Sequence, residues 1–206
     1  DRLEGYLFPD TYEFYLGEDP KTAINKMLVN FDRRFDDEMR AAAQEKGYSV
    51  RDIVIIASMI EKETDGTDQA HIASVIYNRL TNTSAETVGL LGIDATLVYA
   101  LGRPITQDDY QTADTPYNTY KYQGLPPGPI SNPGMVAIRA AMNPDSTSDY
   151  YYVLGNDGKH HFFKTLKGQQ DFIAQQQYLF AFRSLCTRSA AFKINRTAEY
   201  FVCGIF

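Results

Sequence analysis

Tryptophan is absent from the sequence, cysteine occurs twice and histidine three times. Cys186 and Cys203 have no CxxC spacing and no histidines around them, which argues against a zinc site. A disulfide between them requires the C-terminal tail to fold back on itself. His71, His160 and His161 are too few and too dispersed for a histidine-based triad or metal centre. No GxSxG elbow, Walker loop or dinucleotide fingerprint is present, so neither a metal nor an organic cofactor is expected. A basic surplus is missing too. With 20 Lys and Arg against 26 Asp and Glu, the net charge of -6 argues against a general nucleic-acid binder. The longest apolar run, "IVIIASMI", is far shorter than the roughly 20 residues that span a bilayer. The chain opens at Asp1 without a charged-then-apolar leader. Its first residues, "DRLEGYLFPDTYEF", read like the interior of a protein, so an N-terminally truncated chain is expected.

What is present is a globular composition, rich in tyrosine (15) and phenylalanine (12), with enough length for one good core. Such aromatics can line sugar clefts, although core and rim packing is their commoner use. Asp19 and Pro20 open a helix whose apolar positions run from Ile24 to Ala42 before Gly47 ends it. Ser49 and Asp52 form a capping box for a second helix, Val50 to about Thr64, apolar nearly all round. "TDQAHIASVIYNRL" reads as a helix. Asp94 is placed as the cap of a short helix, "ATLVYALG". "TPYNTYKYQGLPPGPISNPG" reads as an ordered loop, and Asn132 and Pro133 then start "GMVAIRAAMN". "DYYYVLGNDGKHHFF" reads as a β-hairpin turning at Asn-Asp-Gly, and "TLKGQQDFIAQQQYLFAF" as a last helix. The expectation is an α+β chain, with one domain over 1–182 and a poorly specified tail over 183–206.

The second helix ends in "ASMIEKET". Residues two apart on a helix point about 200° away from each other, so Glu61 and Glu63 cannot face the same cleft. Glu63 continues the stripe Ile53, Ile56, Ile60; Glu61 continues Val54, Ala57. A carboxyl at the edge of an apolar environment holds its proton to higher pH, as a general acid must. The competing reading makes both glutamates the polar end of an emerging helix. Asp94, Asp108 and Asp109 are candidates for a second carboxylate, as in ordinary glycosidases. His71 reads as structural or exposed.

Seven motifs then occur in order: "LEGYLFPDTYEF", "ASMIEKET", "IASVIYNRL", "IDATLVYALG", "TPYNTY", "GLPPGPISNPG" and "HHFFKTL". Together, from about Leu3 to about Leu166, they resemble the catalytic domain of the endolytic murein transglycosylases, the MltG/YceG-like family. The resemblance implies a helix-rich, lysozyme-like core with a small β-hairpin and a single catalytic acid. The Glu-Ser motif of lysozyme-like lytic transglycosylases is similar to Glu63-Thr64, which would make Glu63 the acid and base and leave Glu61 a supporting hydrogen bond or salt bridge. A Tyr-Asn motif resembles Tyr117-Asn118, so Tyr117 would form a cleft wall and Asn118 would hold the muramyl acetamido group, unless Asn118 only stabilises its loop through an Asx turn. Asp94 and Thr96 are looser carry-overs, and His160 matches a His-x-Phe pattern on the hairpin. The implied reaction cleaves the MurNAc-GlcNAc β-1,4 bond of nascent glycan strands and leaves 1,6-anhydro-MurNAc ends, a lyase reaction. Implied partners are peptidoglycan strands and the cell-wall synthesis machinery. The implied location is the extracytoplasmic face of the bacterial cytoplasmic membrane, through an N-terminal anchor that this chain lacks. There are departures. Gly92 and Ala95 in "LLGIDAT" stand where the family commonly has Gln and Pro, and the match fades near Gln169, where a histidine is usual. Two rival readings are a catalytically impaired peptidoglycan-binding module and a two-carboxylate muramidase hydrolase.

Overall fold

Eight consecutive residues of one helix, Ile53 to Ile60, are buried in the computed structural model, which describes residues 3–64 and 66–187 and side-chain surroundings as far as 177. A helix enclosed on every side needs partners all round. This one, α3 (Val50–Glu63), has them in α2 (Asp37–Glu45), α4 (Gln69–Thr81), α5 (Asp94–Leu101) and α7 (Met135–Met142). Its start is set locally. The Ser49 hydroxyl accepts from the Asp52 N–H while the Asp52 carboxylate accepts from the Ser49 N–H, which closes the capping box read from sequence.

The long first helix expected from sequence is two helices, α1 (Pro20–Arg34) and α2. Asp36 breaks it. In extended backbone, its carboxylate accepts from the Met39 N–H and starts α2, while Phe35 is fully buried and stacks on Phe31 at 5.7 Å. Burial of Phe35 and the second cap outweigh continuity, although the apolar spacing runs through both segments. A further short helix, α6 (Asp109–Thr112), is not signalled by periodicity. Asn132 does not start α7 either. Gly134 is its cap, and the Asn132 side chain instead accepts from the N–H groups of Gly5 (2.8 Å) and Leu7 (3.1 Å).

These bonds fasten the opening segment to the Pro-rich loop. Gly5 has φ +87°, and a Cβ there would lie 2.6 Å from both Pro129 and Val54, so the close approach depends on glycine. The same loop follows α3 along its length. Arg51 donates to the Pro127 carbonyl, and the Ile130 N–H donates to the buried Ser58 hydroxyl at 3.0 Å. The Ser131 hydroxyl donates to the Ser58 carbonyl, and the Gly134 N–H reaches Glu61.

Internal contacts divide the chain into two compact units, the first ending at Thr147 and the second beginning at Ser148, inside the stretch read from sequence as one domain. In the second unit, β1 (Tyr151–Leu154) pairs antiparallel with β2 (His160–Phe163), Tyr151 opposite Phe163 and Leu154 opposite His160. The helix α8 (Leu166–Thr187) packs on both strands and continues past Phe182. Its buried Gln169 donates to the Tyr152 carbonyl at 2.7 Å. The architecture is helix-rich α+β with one two-stranded sheet among the described residues. Most of the tail, with Cys203 and the side chain of Cys186, lies outside the described residues. No helix among those described is long and apolar enough to cross a membrane.

Candidate active site

Glu63 is the last residue of α3 and is half-buried, directly beyond the fully buried stripe Ile53, Ile56, Ile60. Glu61 is exposed and already occupied. Its Oε2 accepts from the Gly134 N–H at 3.1 Å and so serves the N-terminus of α7, where backbone donors lack partners and a negative charge is favoured. The two carboxylates therefore have different settings, as their angular separation requires.

Thr64 ends α3 in extended backbone. Its hydroxyl donates to Asp68 (2.8 Å) and accepts from the Gly66 N–H (2.9 Å), and its carbonyl accepts from Gln69 Nε2 (3.3 Å). Thr64 thus ties the turn between α3 and α4 and fixes the backbone that carries Glu63. Gln69, which the sequence reading passed over, is 8% exposed, and its Oε1 is buried without a hydrogen-bond partner. A polar residue in the first turn of a helix gives no sequence signal for burial.

Asp94 lies inside the first turn of α5, with Ile93 as the cap residue, and its side chain makes no cap bond. Its carboxylate instead accepts from the hydroxyls of Tyr120 (2.5 Å) and Tyr110 (3.3 Å), whose rings meet edge to face at 4.6 Å. Burial pushes the Asp94 carboxyl up, and the two tyrosine hydroxyls partly oppose this. Asp109 is set the other way. Arg103 grips it with two bonds and Thr106 adds two more, which holds its carboxyl well below the usual range. A carboxylate held ionised in this way is unsuited to donate a proton.

Thr96 and Asn118, expected as substrate contacts, are both buried and bonded within the fold. Thr96 is fully buried; its hydroxyl donates to the Ile93 carbonyl at 2.7 Å and lies 3.1 Å from Thr119 Oγ1. Asn118 is fully buried too. Its Nδ2 donates to the carbonyls of Ala113 (2.9 Å) and Tyr110 (3.2 Å), and its Oδ1 accepts from the Tyr120 N–H (3.1 Å). This is the Asx-type loop anchor that the motif also allowed. The anchor orders the loop that carries Tyr120 to Asp94.

Tyr117 is half-buried, and its ring meets Tyr99 at 5.1 Å. Tyr99 in turn donates to Glu4. A Cβ on Gly128 would lie 2.9 Å from the Tyr117 hydroxyl and 3.4 Å from the Arg51 guanidinium, which puts that hydroxyl at the Arg51 end of α3. From Arg51 to Glu63 the helix advances about 18 Å, the length of several sugar units. A groove of about 610 Å³, lined by Leu3, Tyr6, Val29, Arg40 and Arg51 among others, also lies at the Arg51 end and not at Glu63. Gly92 has φ +57°, and a Cβ there would meet Tyr120 at 3.4 Å and Arg79 at 3.5 Å. Glycine therefore suits this turn. His160 belongs to the second unit, where its ring packs edge to face on Tyr152 at 5.7 Å. No cluster of three metal-ligating side chains occurs among the described residues.

Comparison with known proteins places the chain in a family. The model of the YceG-like family matches residues 1–175. The chain belongs to the YceG-like family. It is 37% identical over 183 residues to an endolytic murein transglycosylase of Bacillus subtilis (strain 168), covering 86% of this chain and 48% of the relative. It is 34% identical over 160 residues to the endolytic murein transglycosylase of Streptococcus pneumoniae serotype 2 (strain D39), covering 74% of this chain and 28% of the relative. The crystal structure of a yceG-like protein from Listeria monocytogenes superposes with a TM-score of 0.71 at 37% identity, covering 82% of this chain and 54% of that one. The YceG-like chain thus spans about half the length of the Bacillus relative and under a third of the streptococcal one.

Proposed function

We propose that this chain is the catalytic part of an endolytic peptidoglycan lytic transglycosylase, with Glu63 as its single general acid and base. One observation carries the residue assignment. Of the two glutamates ending the buried helix, Glu63 extends the buried stripe and is half-buried, whereas Glu61 is exposed and bound to Gly134. The names of the relatives supply the substrate class.

The chemistry needs one carboxyl group. Glu63 in its acid form protonates the glycosidic oxygen between MurNAc and GlcNAc. The C1–O bond breaks, its electron pair goes to that oxygen, and GlcNAc leaves with a free 4-hydroxyl. The carbonyl oxygen of the muramyl 2-acetamido group stabilises C1 where a protein nucleophile would otherwise stand. The Glu63 carboxylate then takes the proton of the muramyl 6-hydroxyl as O6 attacks C1, closing the 1,6-anhydro ring and restoring the acid. No water enters and the proton count closes. Tyr117, at the far end of α3, is a wall for a distal part of the glycan; Thr64, Thr96 and Asn118 hold the loops around the cleft. Asp94 is a polar wall residue. The site works at the extracytoplasmic face of the membrane beside the cell-wall synthesis machinery.

The test is to incubate the chain, Glu63→Gln and Glu61→Gln with uncross-linked glycan strands and weigh the products. Anhydro-MurNAc ends from wild type and Glu61→Gln, and none from Glu63→Gln, are expected. Reducing MurNAc ends would make the protein a hydrolase, with Asp94, whose carboxyl is pushed up by burial, as the first candidate for a second carboxylate. Binding without turnover, unaffected by Glu63→Gln, would make it a glycan-binding module.

A further inference from the structure

A guanidinium holds its N–H donors in a fixed fork that matches a carboxylate. Arg51 is exposed, and its Nη2 donates to the Pro127 carbonyl at 2.6 Å. It has no carboxylate partner among the described residues. The bond to Pro127 holds the guanidinium in the lining of the groove of about 610 Å³ at the start of α3. Arg40 lines the groove too, but it is spent on Asp32 at 2.6 Å and lies over the Phe35 ring. The lining thus carries two positive charges against one negative, and the surplus is at Arg51. Two further carboxylates of these segments are occupied elsewhere: Asp52 closes the capping box and Glu4 accepts from Tyr99.

The rest of the groove is mostly apolar. Val29, 56% exposed, and Val50 contribute alkyl surface. Tyr6 stands edge-on to Phe31 at 5.1 Å, and its hydroxyl makes no hydrogen bond among the described residues. The backbone on both sides of Tyr6 is fixed, since Asn132 accepts from the N–H groups of Gly5 and Leu7. A held cation, an alkyl surface and an unused phenol complement a short peptide with small side chains and a terminal carboxylate. The groove also adjoins the place given to distal glycan. The Tyr117 hydroxyl and the Arg51 guanidinium both flank Gly128, 2.9 and 3.4 Å from where a Cβ would stand. A MurNAc on Tyr117 therefore carries its peptide stem beside Arg51, and that stem is an alanine-rich peptide ending in a carboxylate. We propose that this groove is a peptide subsite, in which Arg51 binds the terminal carboxylate of a stem on a distal MurNAc, Val29 and Val50 hold alanine methyls, and Tyr6 bonds the peptide backbone. This rests on the reading of the chain as a peptidoglycan enzyme.

The test has two arms, both on the whole chain. The first titrates the free stem pentapeptide, as its C-terminal carboxylate and as its carboxamide, by NMR, and needs no turnover. Wild type should bind the carboxylate about tenfold more tightly than the carboxamide, and Arg51→Gln should bind the two alike. Arg51→Lys, which keeps the charge without the fork, should retain part of the preference. The second arm compares KM for glycan strands that bear stems with KM for strands stripped of stems by an amidase. Wild type should show a KM about tenfold lower with stems, and in Arg51→Gln the two values should agree within about twofold. A purely structural Arg51, acting through Pro127, would raise KM for both strands and leave their ratio intact. That result in folded variants, checked by circular dichroism, overturns the proposal, as does equal affinity of wild type for carboxylate and carboxamide. Arg51→Lys carries the test if Arg51→Gln does not fold. Peptide binding through Arg51 without cleavage of any strand refutes the assigned reaction and not the subsite. Cleavage of both strands at one KM refutes the subsite alone.

Discussion

Glu61 and Glu63 are two residues apart and carry the same functional group, so their separate replacement isolates what position does. Glu61 Oε2 accepts from the Gly134 N–H at 3.1 Å, at the N-terminus of α7. Replacing a side chain that caps a helix N-terminus costs about 1 kcal/mol, and the charge at an exposed helix end is part of that figure. Glu61→Ala should therefore lose about 1 kcal/mol of stability, a fall in Tm of roughly 2–4 °C for a chain of this size. Glu61→Gln, which keeps an acceptor oxygen, should lose about half of that. Turnover should stay within about threefold of wild type in both, because neither change touches the proton that moves. Glu63→Gln should do the reverse: Tm within a degree or two, and turnover down by about 10²–10⁴, the usual contribution of a positioned general acid. The assays are thermal unfolding followed by circular dichroism and mass analysis of products from uncross-linked glycan strands. A folded Glu61→Gln without turnover, beside an active Glu63→Gln, would refute the argument from helix geometry and burial.

Other expectations follow from the same structure. Gly5→Ala should destabilise by roughly 3 kcal/mol in denaturant unfolding, since φ +87° disfavours any Cβ and this one meets Pro129 and Val54 at 2.6 Å. Asn118→Ala should cost about 2–3 kcal/mol, because it leaves two carbonyls and the Tyr120 N–H without their partner. If its role is to anchor the loop, KM for glycan should change little in the fraction that stays folded; a large KM rise with unchanged stability would show direct substrate contact instead. Asp109 ionises in the folded state below its ordinary range because Arg103 and Thr106 bind the carboxylate. Its contribution is present above about pH 4 and is lost as the pH falls toward the depressed folded value. Asp109→Asn should therefore flatten the acid limb of the stability profile; an unchanged limb in urea titrations from pH 7 to pH 2 would refute this.

Local signals were legible wherever the physics is local. The Ser49–Asp52 box, the apolar circumference of α3 and the Asn-Asp-Gly hairpin each depend on residues within a few positions of one another, and each is found where the pattern puts it. The break between α1 and α2 was hidden because apolar spacing alone cannot weigh a second cap at Asp36 and the burial of Phe35 against a continuous helix. The motif order carried the family, and the shared polypeptide pattern carried the fold class with it.

The roles of individual polar side chains were another matter. Sequence reads Asn132 as a helix starter, Asn118 as either a ligand holder or a loop anchor, and Asp94 as a helix cap. The fold turns them toward Gly5 and Leu7, toward Ala113, Tyr110 and Tyr120, and toward two tyrosine hydroxyls. A polar group takes the partner that packing brings within about 3 Å, and those partners can lie more than a hundred residues away. The angular separation of Glu61 and Glu63 was set by the chain itself, since 100° per residue is a property of any α-helix. That Glu61 would be used up at Gly134 depended on how a distant helix packs against α3.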